Sequence, residues 1–316
     1  MRILIADKLD VRYVGALKDL GFSIDETKGL TPGALPTAAA TAEILVVRST
    51  LVPGSLLAAF PSLRLIIRAG AGTDTIDVAA ASARGIQVSN TPGRNADAVA
   101  EIALGLLLAA DRHIADGTRD LRAGHWTKAA LGQGRGLMGR TLGLVGLGSV
   151  GHAMARDAKG LGMKVKAWSD HLTPALAAEA GVEFAPSLLD LAKSVDAISV
   201  HVASTAATRG LLGREFFAAL KPGALFVNTA RGEVVDRESL IEAIRGKGLK
   251  VGLDVFAGEP KSGDAPFADP ELASLCVGTP HLGASTDQAA EAVAEEVVRI
   301  ARVFRETGQA PNAVAV

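Results

Sequence analysis

The chain is short of three things, and each shortage excludes something. Cys276 is the one cysteine among 316 residues. A single thiol makes no internal disulfide and builds no cysteine-based zinc site, so no metal is expected. Charge of one sign is not in excess: 33 Lys plus Arg stand against 34 Asp plus Glu, a formal net charge of -1. General nucleic-acid or membrane-surface binders carry a basic surplus, so neither partner is expected, although a small local group of arginines is compatible with the balance. Long hydrophobic runs are missing too. The longest, residues 102–110, is closed by Glu101 and Asp111 and is far short of the ~20 residues of a membrane span. The N-terminus enters a strand-like run, Met1-Arg2-Ile3-Leu4-Ile5-Ala6-Asp7, with no signal-peptide pattern, so a cytoplasmic location is expected.

What is present is length and alternation. A chain of 316 residues suggests about two domains and can bury a sizeable core without a staple. Apolar runs at 3–6, 44–47, 65–67 and 86–88 read as buried strands, each followed by a break and a helical pattern. That alternation predicts parallel sheets with crossover helices, apolar on both faces of each strand. Residues 34–42 read as a loop plus helix. From about 95 to 123 there is one long helical stretch, with Gly105 and Gly117 as either points of close packing against a neighbour or weak points, and a glycine-rich loop follows at 132–139. Strand patterns resume at 141–145, 165–168, 197–201, 225–227, 251–253 and 275–277. A last helix is expected over about 286–306. The best boundary lies near residue 95, and two α/β domains follow from the pattern, though the location of the last helix does not. No internal repeat is visible.

The sharpest local signal is Gly146-Leu147-Gly148-Ser149-Val150-Gly151, directly after the strand at 142–145 and opening a helix over about 150–161. In that context the motif is a dinucleotide fingerprint. Gly146 permits the tight turn, Gly148 lets backbone approach a pyrophosphate, and Gly151 lets helix and strand pack closely. The pyrophosphate would rest on the helix N-terminus. An acid about twenty residues on should hold the adenosine ribose of NAD. Asp170 lies 19 residues past Gly151, but the strand tip itself is Ser169. No Arg or Lys follows immediately, so NAD is favoured over NADP.

Hydride transfer to a nicotinamide asks the protein for a base, a group that poises the base, and a cation for the substrate. Histidine is the natural base near neutral pH, a carboxylate fixes and raises it, and arginine clamps a carboxylate on two prongs. Of the six histidines, His281 stands out, in Gly278-Thr279-Pro280-His281-Leu282-Gly283-Ala284-Ser285-Thr286. Arg231 lies in Asn228-Thr229-Ala230-Arg231-Gly232, and Glu259 in Asp254-Val255-Phe256-Ala257-Gly258-Glu259-Pro260. Each follows a strand pattern, and ligands of open α/β sheets bind beyond the carboxyl ends of strands. Singly, each of these residues is more often structural; together, downstream of a nucleotide loop, they point to an active site.

These motifs, with Arg-Ala-Gly-Ala-Gly-Thr-Asp at 68–74 and Asn90-Thr91-Pro92-Gly93, closely resemble those of the D-isomer-specific 2-hydroxy acid dehydrogenases. The resemblance implies His281 as acid/base, Glu259 as its partner and Arg231 as substrate clamp. It implies that Asp254 and the Ala230 backbone hold the nicotinamide end, and that Ser149, Val150, His201, Thr205, Thr229 and Gly283 complete the cofactor contacts. The backbone at Ala71 and Gly72 would help bind the substrate carboxylate. It also implies the topology, two doubly wound parallel-sheet α/β domains: a Rossmann NAD-binding domain over 96–284, inserted in a flavodoxin-like substrate domain of 1–95 plus 285–316 that the last helix rejoins. Three departures are Asp74-Thr75 for the usual Asp-Asn, Ser149 where many relatives carry Arg, and Ala203 where many carry Pro.

Within the resemblance, Arg48 and Arg68 each close a first-domain strand and suit a phosphate, which predicts a phosphorylated 2-hydroxy acid. One or both could instead pair with nearby acids. Long relatives carry a further ligand-binding domain; with the sequence ending at Val316, regulation by serine through such a domain is not expected. A reductase of glyoxylate or hydroxypyruvate, with NADPH as an option, is the alternative enzyme. A nucleotide-sensing protein like the corepressors that resemble this family is the alternative outside catalysis. The resemblance implies a homodimer through the nucleotide domain, and Trp126 is either part of that contact or a domain-packing residue.

Overall fold

Runs of branched aliphatic residues become the central strands of two parallel sheets, because crossover helices cover both faces of such a sheet. The computed structural model describes residues 1–7, 9–30, 35–260 and 265–314. They fall into two compact units: Met1–Asn95 with Ser285–Val316, and Ala96–Pro260 with Ala265–Ala284.

The first unit holds β1 (Arg2–Ile5), β2 (Ser23–Glu26), β3 (Ile44–Val47), β4 (Leu65–Arg68) and β5 (Gln87–Asn90), in the order β2-β1-β3-β4-β5. All pairings are parallel, and the order is that of flavodoxin-like sheets. One face buries Leu4, Leu45 and Ile66 with Leu57 and Phe60. The other buries Ile3, Ile5, Val46 and Ile67 against Val297, Ile300 and Phe304 of the last helix, Asp287–Thr307. Thr286 caps that helix, its hydroxyl accepting from the Ala289 amide, and Gly308 closes it in the left-handed conformation.

The second unit holds β6 (Thr141–Val145), β7 (Lys164–Trp168), β8 (Glu183–Phe184), β9 (Ala197–Val200), β10 (Leu225–Asn228), β11 (Lys250–Leu253) and β12 (Val277–Gly278). Their order is β12-β11-β10-β9-β6-β7-β8, again all parallel. The chain starts this sheet in the middle at β6, builds outward to β8, then crosses back to β9 and outward again. That is the doubly wound Rossmann order, with its switch point between β6 and β9.

Several details differ from the sequence reading. β2 and β8 are sheet-edge strands that the apolar-run reading misses; β2 is half-exposed, and β8 is two residues long. The strand read at 275–277 narrows to Val277–Gly278, because the Leu275 amide still donates to Leu272 and closes the helix Pro270–Ser274. In the stretch 34–42, Ala34 lies outside the described residues and Thr37–Ala40 forms a 3-10 turn. The long helix breaks at neither glycine. It divides into Ala96–Arg112 and Ile114–Arg122 at His113, whose φ is 53°. The cause is long-range. The Lys250 ammonium donates to the Asp111 carbonyl at 3.1 Å and to His113 Nε2 at 3.2 Å, taking the carbonyl a continuing helix would use. The Asp111 carboxylate is itself buried against Arg140 at 3.1 Å and accepts from the Gly136 amide. Trp126 is 81% exposed, which removes the domain-packing alternative. Among the described residues no helix is long and apolar enough to cross a membrane.

Candidate active site

In the second unit, β6 runs out at Val145, and four residues later the helix Ser149–Gly160 begins. Gly146 turns the chain at φ +99°, and its amide donates to the Trp168 carbonyl at 2.8 Å, fastening the loop to the tip of β7. A Cβ on Gly146 would lie 2.9 Å from the His201 carbonyl carbon, and one on Gly151 would lie 2.5 Å from the Gly146 oxygen. Gly148 is different: nothing stands within 4 Å of its Cβ position. It occupies the N-cap of the helix and supplies no side-chain cap. Ser149 and Val150 therefore begin a helix whose first amides are left to an external acceptor. An open cradle at an uncapped helix N-terminus fits a pyrophosphate, so the residues present suit a dinucleotide.

Around that loop stand the other nucleotide candidates. At the tip of β7 the Ser169 hydroxyl donates to Asp170 Oδ1 at 3.2 Å. Asp170 is one residue beyond the tip, yet its carboxylate turns back to it, with His171 Nε2 3.7 Å away. His201 follows β9, its amide donating to Val145 at 2.8 Å. Both its ring nitrogens are buried without a hydrogen-bond partner among the described residues, and burial pushes its pKa down to about 3, so the ring is neutral. Ser199 Oγ and Thr229 Oγ1 are also buried and unpartnered there. Thr205 belongs to a turn closed by Thr208, whose hydroxyl accepts from the Thr205 amide at 2.8 Å and donates to the Ala203 carbonyl at 2.6 Å.

Three adjacent strand ends, β10, β11 and β12, carry the candidate catalytic side chains Arg231, Glu259 and His281. After β10 the buried Asn228 shapes the turn: its Oδ1 accepts from the Ala230 amide and its Nδ2 donates to the Arg231 carbonyl, both at 2.9 Å. Arg231 Nη1 donates to the Ala230 carbonyl at 2.7 Å. A Cβ on Gly232 would lie 2.1 Å from the Ala257 nitrogen, so this turn rests directly on the loop after β11.

That second loop holds Glu259. Its Oε2 accepts from the Phe256 amide at 2.8 Å, and its Oε1 is hydrogen-bonded to His281 Nδ1. With Nδ1 donating to the carboxylate, Nε2 is the nitrogen left to exchange a proton. The hydrogen bond from Glu259 raises the His281 pKa above its ordinary value, reinforced by the charges of Glu259 and Asp254; partial burial and the nearby Arg231 cation oppose it. His281 has a φ of 54°, a conformation uncommon outside glycine. Asp254 holds it there. Its carbonyl accepts from the His281 amide at 2.8 Å, and its buried carboxylate accepts from Thr279 Oγ1, the Leu282 amide and the Gly283 amide at 2.7, 2.7 and 2.9 Å. The resemblance implies Asp254 at the nicotinamide; what the structure shows is an anchor of the histidine loop.

The first unit collects the remaining candidates on neighbouring strand ends. Arg68 ends β4 opposite Val47, and Arg48 follows Val47. A Cβ on Gly70 would fall 1.5 Å from Arg68 Nη1, so the guanidinium lies over the glycine itself. The Ala71 carbonyl accepts from Asn90 Nδ2 at 2.6 Å, fixing the backbone that leads to Gly72. Sequence reasoning did not single out Asn228, Thr279 or Asp7, which set the positions of the turns bearing Arg231, His281 and Arg48. The signal available for each was a short polar residue at or just beyond a strand's carboxyl end.

With the geometry in place, comparison with known proteins decides the family. Residues 104–283 match the domain described as D-isomer specific 2-hydroxyacid dehydrogenase, NAD binding domain. The chain belongs to the D-isomer-specific 2-hydroxyacid dehydrogenases. It is 42% identical over 316 residues to a D-3-phosphoglycerate dehydrogenase of Mycobacterium tuberculosis, covering 99% of this chain and 58% of that protein. It therefore spans somewhat over half the length of such relatives. It is 44% identical over 270 residues to a hydroxypyruvate reductase of Thermotoga maritima, covering 84% of this chain and 85% of that one. Among solved structures it resembles the NADPH-dependent glyoxylate/hydroxypyruvate reductase of Sinorhizobium meliloti in complex with NADP and malonate, with TM-score 0.83 and 30% identity over 99% of this chain and 96% of that one. Family membership makes the second unit's sheet an NAD-binding domain.

Proposed function

We propose that the chain oxidises D-3-phosphoglycerate to 3-phosphohydroxypyruvate, the entry step toward serine, using NAD. The observation that carries the dehydrogenase reading is the Glu259–His281 hydrogen bond, with Arg231 on the adjoining turn. NAD, when bound, accepts the hydride from substrate C2. His281 Nε2 takes the C2 hydroxyl proton, so the imidazole starts neutral and ends as a cation. Glu259 stabilises that cation and keeps Nε2 forward. Arg231 holds the carboxylate and offsets charge on the forming carbonyl oxygen. The loop from Gly146 to Gly151 and the first amides of its helix hold the pyrophosphate, with Ser169 and Asp170 at the adenosine ribose. His201, Thr205, Thr229, Ala230, Asp254 and Gly283 complete the cofactor's surroundings.

The choice of acid is supported by Arg48 and Arg68 on adjoining strand ends, cations that suit a phosphate, with the Ala71 and Gly72 backbone taking part at the carboxylate. The relatives named phosphoglycerate dehydrogenase support it as well. On this reading the first unit is the substrate domain. The second reading is a hydroxypyruvate reductase, favoured by the Thermotoga relative, which the chain matches over most of its length. Following NADH formation with phosphorylated and unphosphorylated 2-hydroxy acids separates the two. Preference for D-3-phosphoglycerate supports the first; turnover confined to D-glycerate and glycolate, or to NADPH-driven reduction, removes it. We further propose a homodimer formed through the nucleotide domain.

A further inference from the structure

Asp7 sits two residues past the end of β1, in the first unit. Its Oδ2 accepts three successive backbone amides, those of Arg48 at 2.6 Å, Ser49 at 3.1 Å and Thr50 at 3.1 Å. Successive amides pointing at one spot form a nest for an anion. Here the anion is a side chain from a different strand, 41 residues earlier in the chain. The loop is pinned at further points. Thr50 is buried, with its hydroxyl 3.5 Å from the Ala6 carbonyl, and the Val52 amide donates to Thr75 at 2.8 Å.

We infer that Asp7 is a positioning residue for Arg48, and through it for the phosphate of the substrate. The inference rests on the phosphate reading of Arg48 given above. Its physical content is preorganisation. A loop of three residues with unsatisfied amides samples many conformations, and ordering it during binding would subtract from affinity. Asp7 orders it beforehand, so that Arg48 leaves the strand at one fixed place. A carboxylate beside an anion site would ordinarily weaken binding. This one directs its charge into three amide dipoles, which oppose part of it where the approaching anion meets Arg48. Asp7 touches neither the substrate nor the reacting atoms in this account.

The test compares Asp7→Ala, Asp7→Asn, Arg48→Ala and the Asp7→Ala/Arg48→Ala pair in the full chain. It reads KM and kcat for D-3-phosphoglycerate, and NADH affinity by protein fluorescence. Asp7→Ala is expected to raise KM about tenfold, the worth of one charge-assisted contact, with kcat and NADH affinity held. Asp7→Asn keeps one acceptor oxygen and should fall between Asp7→Ala and the parent. In the pair the Asp7 effect should vanish, because there is no guanidinium left to position. If Arg48→Ala itself leaves KM unchanged, the phosphate reading fails, and this inference with it. If Arg48→Ala raises KM but Asp7→Ala does not, or the two effects add, the positioning role alone is overturned. Loss of NADH affinity in both Asp7 variants marks a purely structural residue and also overturns it.

Discussion

His281 owes its conformation to Asp254 and its chemistry to Glu259. Oxidation of a hydroxy acid needs the imidazole neutral, so kcat/KM should climb as pH rises through the raised His281 pKa. Reduction of the oxo acid needs it protonated and should decline over the same range. Glu259 is the principal cause of the elevation. Glu259→Gln should therefore move both limbs to lower pH, since a less stabilised imidazolium gives up its proton earlier. Initial-rate profiles in both directions would check this, and an unmoved limb would separate the limb from His281. His281→Ala should lower turnover by about 10²- to 10⁴-fold, the usual worth of a general base. Gly70 offers a residue-scale test of the other strand ends. It has φ +152°, and a methyl there would occupy the place of Arg68 Nη1. Gly70→Ala should expel the guanidinium and raise KM for the phosphorylated acid, while NADH affinity in the second unit stays as it was. Unchanged KM would remove Arg68 from the phosphate.

The last helix is fixed by an acid, Glu296, whose side chain is 3% exposed. It accepts from Arg94 at 2.6 Å, from Arg299 Nε at 3.0 Å and from Asn312 Nδ2 at 2.8 Å. It thereby joins the helix to the segment before residue 95 and to the C-terminal stretch. These hydrogen bonds, Arg299 foremost, outweigh burial and draw its pKa from 4.5 down to about 2. A carboxylate depressed in the folded state contributes stability that is fully present above its unfolded value and lost as pH falls toward the folded one. Stability should thus decline between roughly pH 4.5 and 2. Glu296→Gln should flatten that portion and, allowing for its half-exposed arginine partners, cost about 2 kcal/mol at neutral pH, measured by urea unfolding. Equal acid sensitivity in parent and variant would contradict the assignment. None of this was legible in the sequence, where Glu296 reads as one more polar position on an amphipathic helix. The central strands were legible because a run such as Ile44-Leu45-Val46-Val47 has no solvent-facing side to accommodate in any other element. The edge strands were not, since β2 carries one apolar residue in four. Nor was the break at His113, whose cause, Lys250, lies 137 residues away. The candidate catalytic residues could be picked out one by one from the strand ends that bear them. The link from Asp254 through Thr279 to the histidine loop could not, because it exists only once β11 and β12 lie side by side.

At the scale of the whole molecule, charge and exposure separate two kinds of surface. The net charge of -1 conceals cations set singly at strand ends, an arrangement that suits the small anionic substrate proposed above. The segment 113–138 is of another kind. Its helix Ile114–Arg122 contains no buried residue, and Trp126 and Met138 are 81% and 85% exposed, with Ile114 and Leu121 also in the open. Large exposed apolar side chains are what the proposed association through the nucleotide domain would cover. The same stretch contains the break at His113 and the glycine-bearing loop that the buried Asp111–Arg140 pair secures, and it is anchored by the buried Leu137 while Ile114, Leu121, Trp126 and Met138 stay in the open. A second copy of the chain would bury them, which is the dimer proposed for the nucleotide domain. Sedimentation velocity at micromolar concentration should show a dimer for the parent chain. Trp126→Glu places a charge in the proposed contact and should shift the protein to monomer. Because Trp126 contributes little to its own domain's core, thermal unfolding and NADH affinity should stay close to the parent's. A monomeric parent, or a variant that stays dimeric, would assign the exposed segment to some other contact.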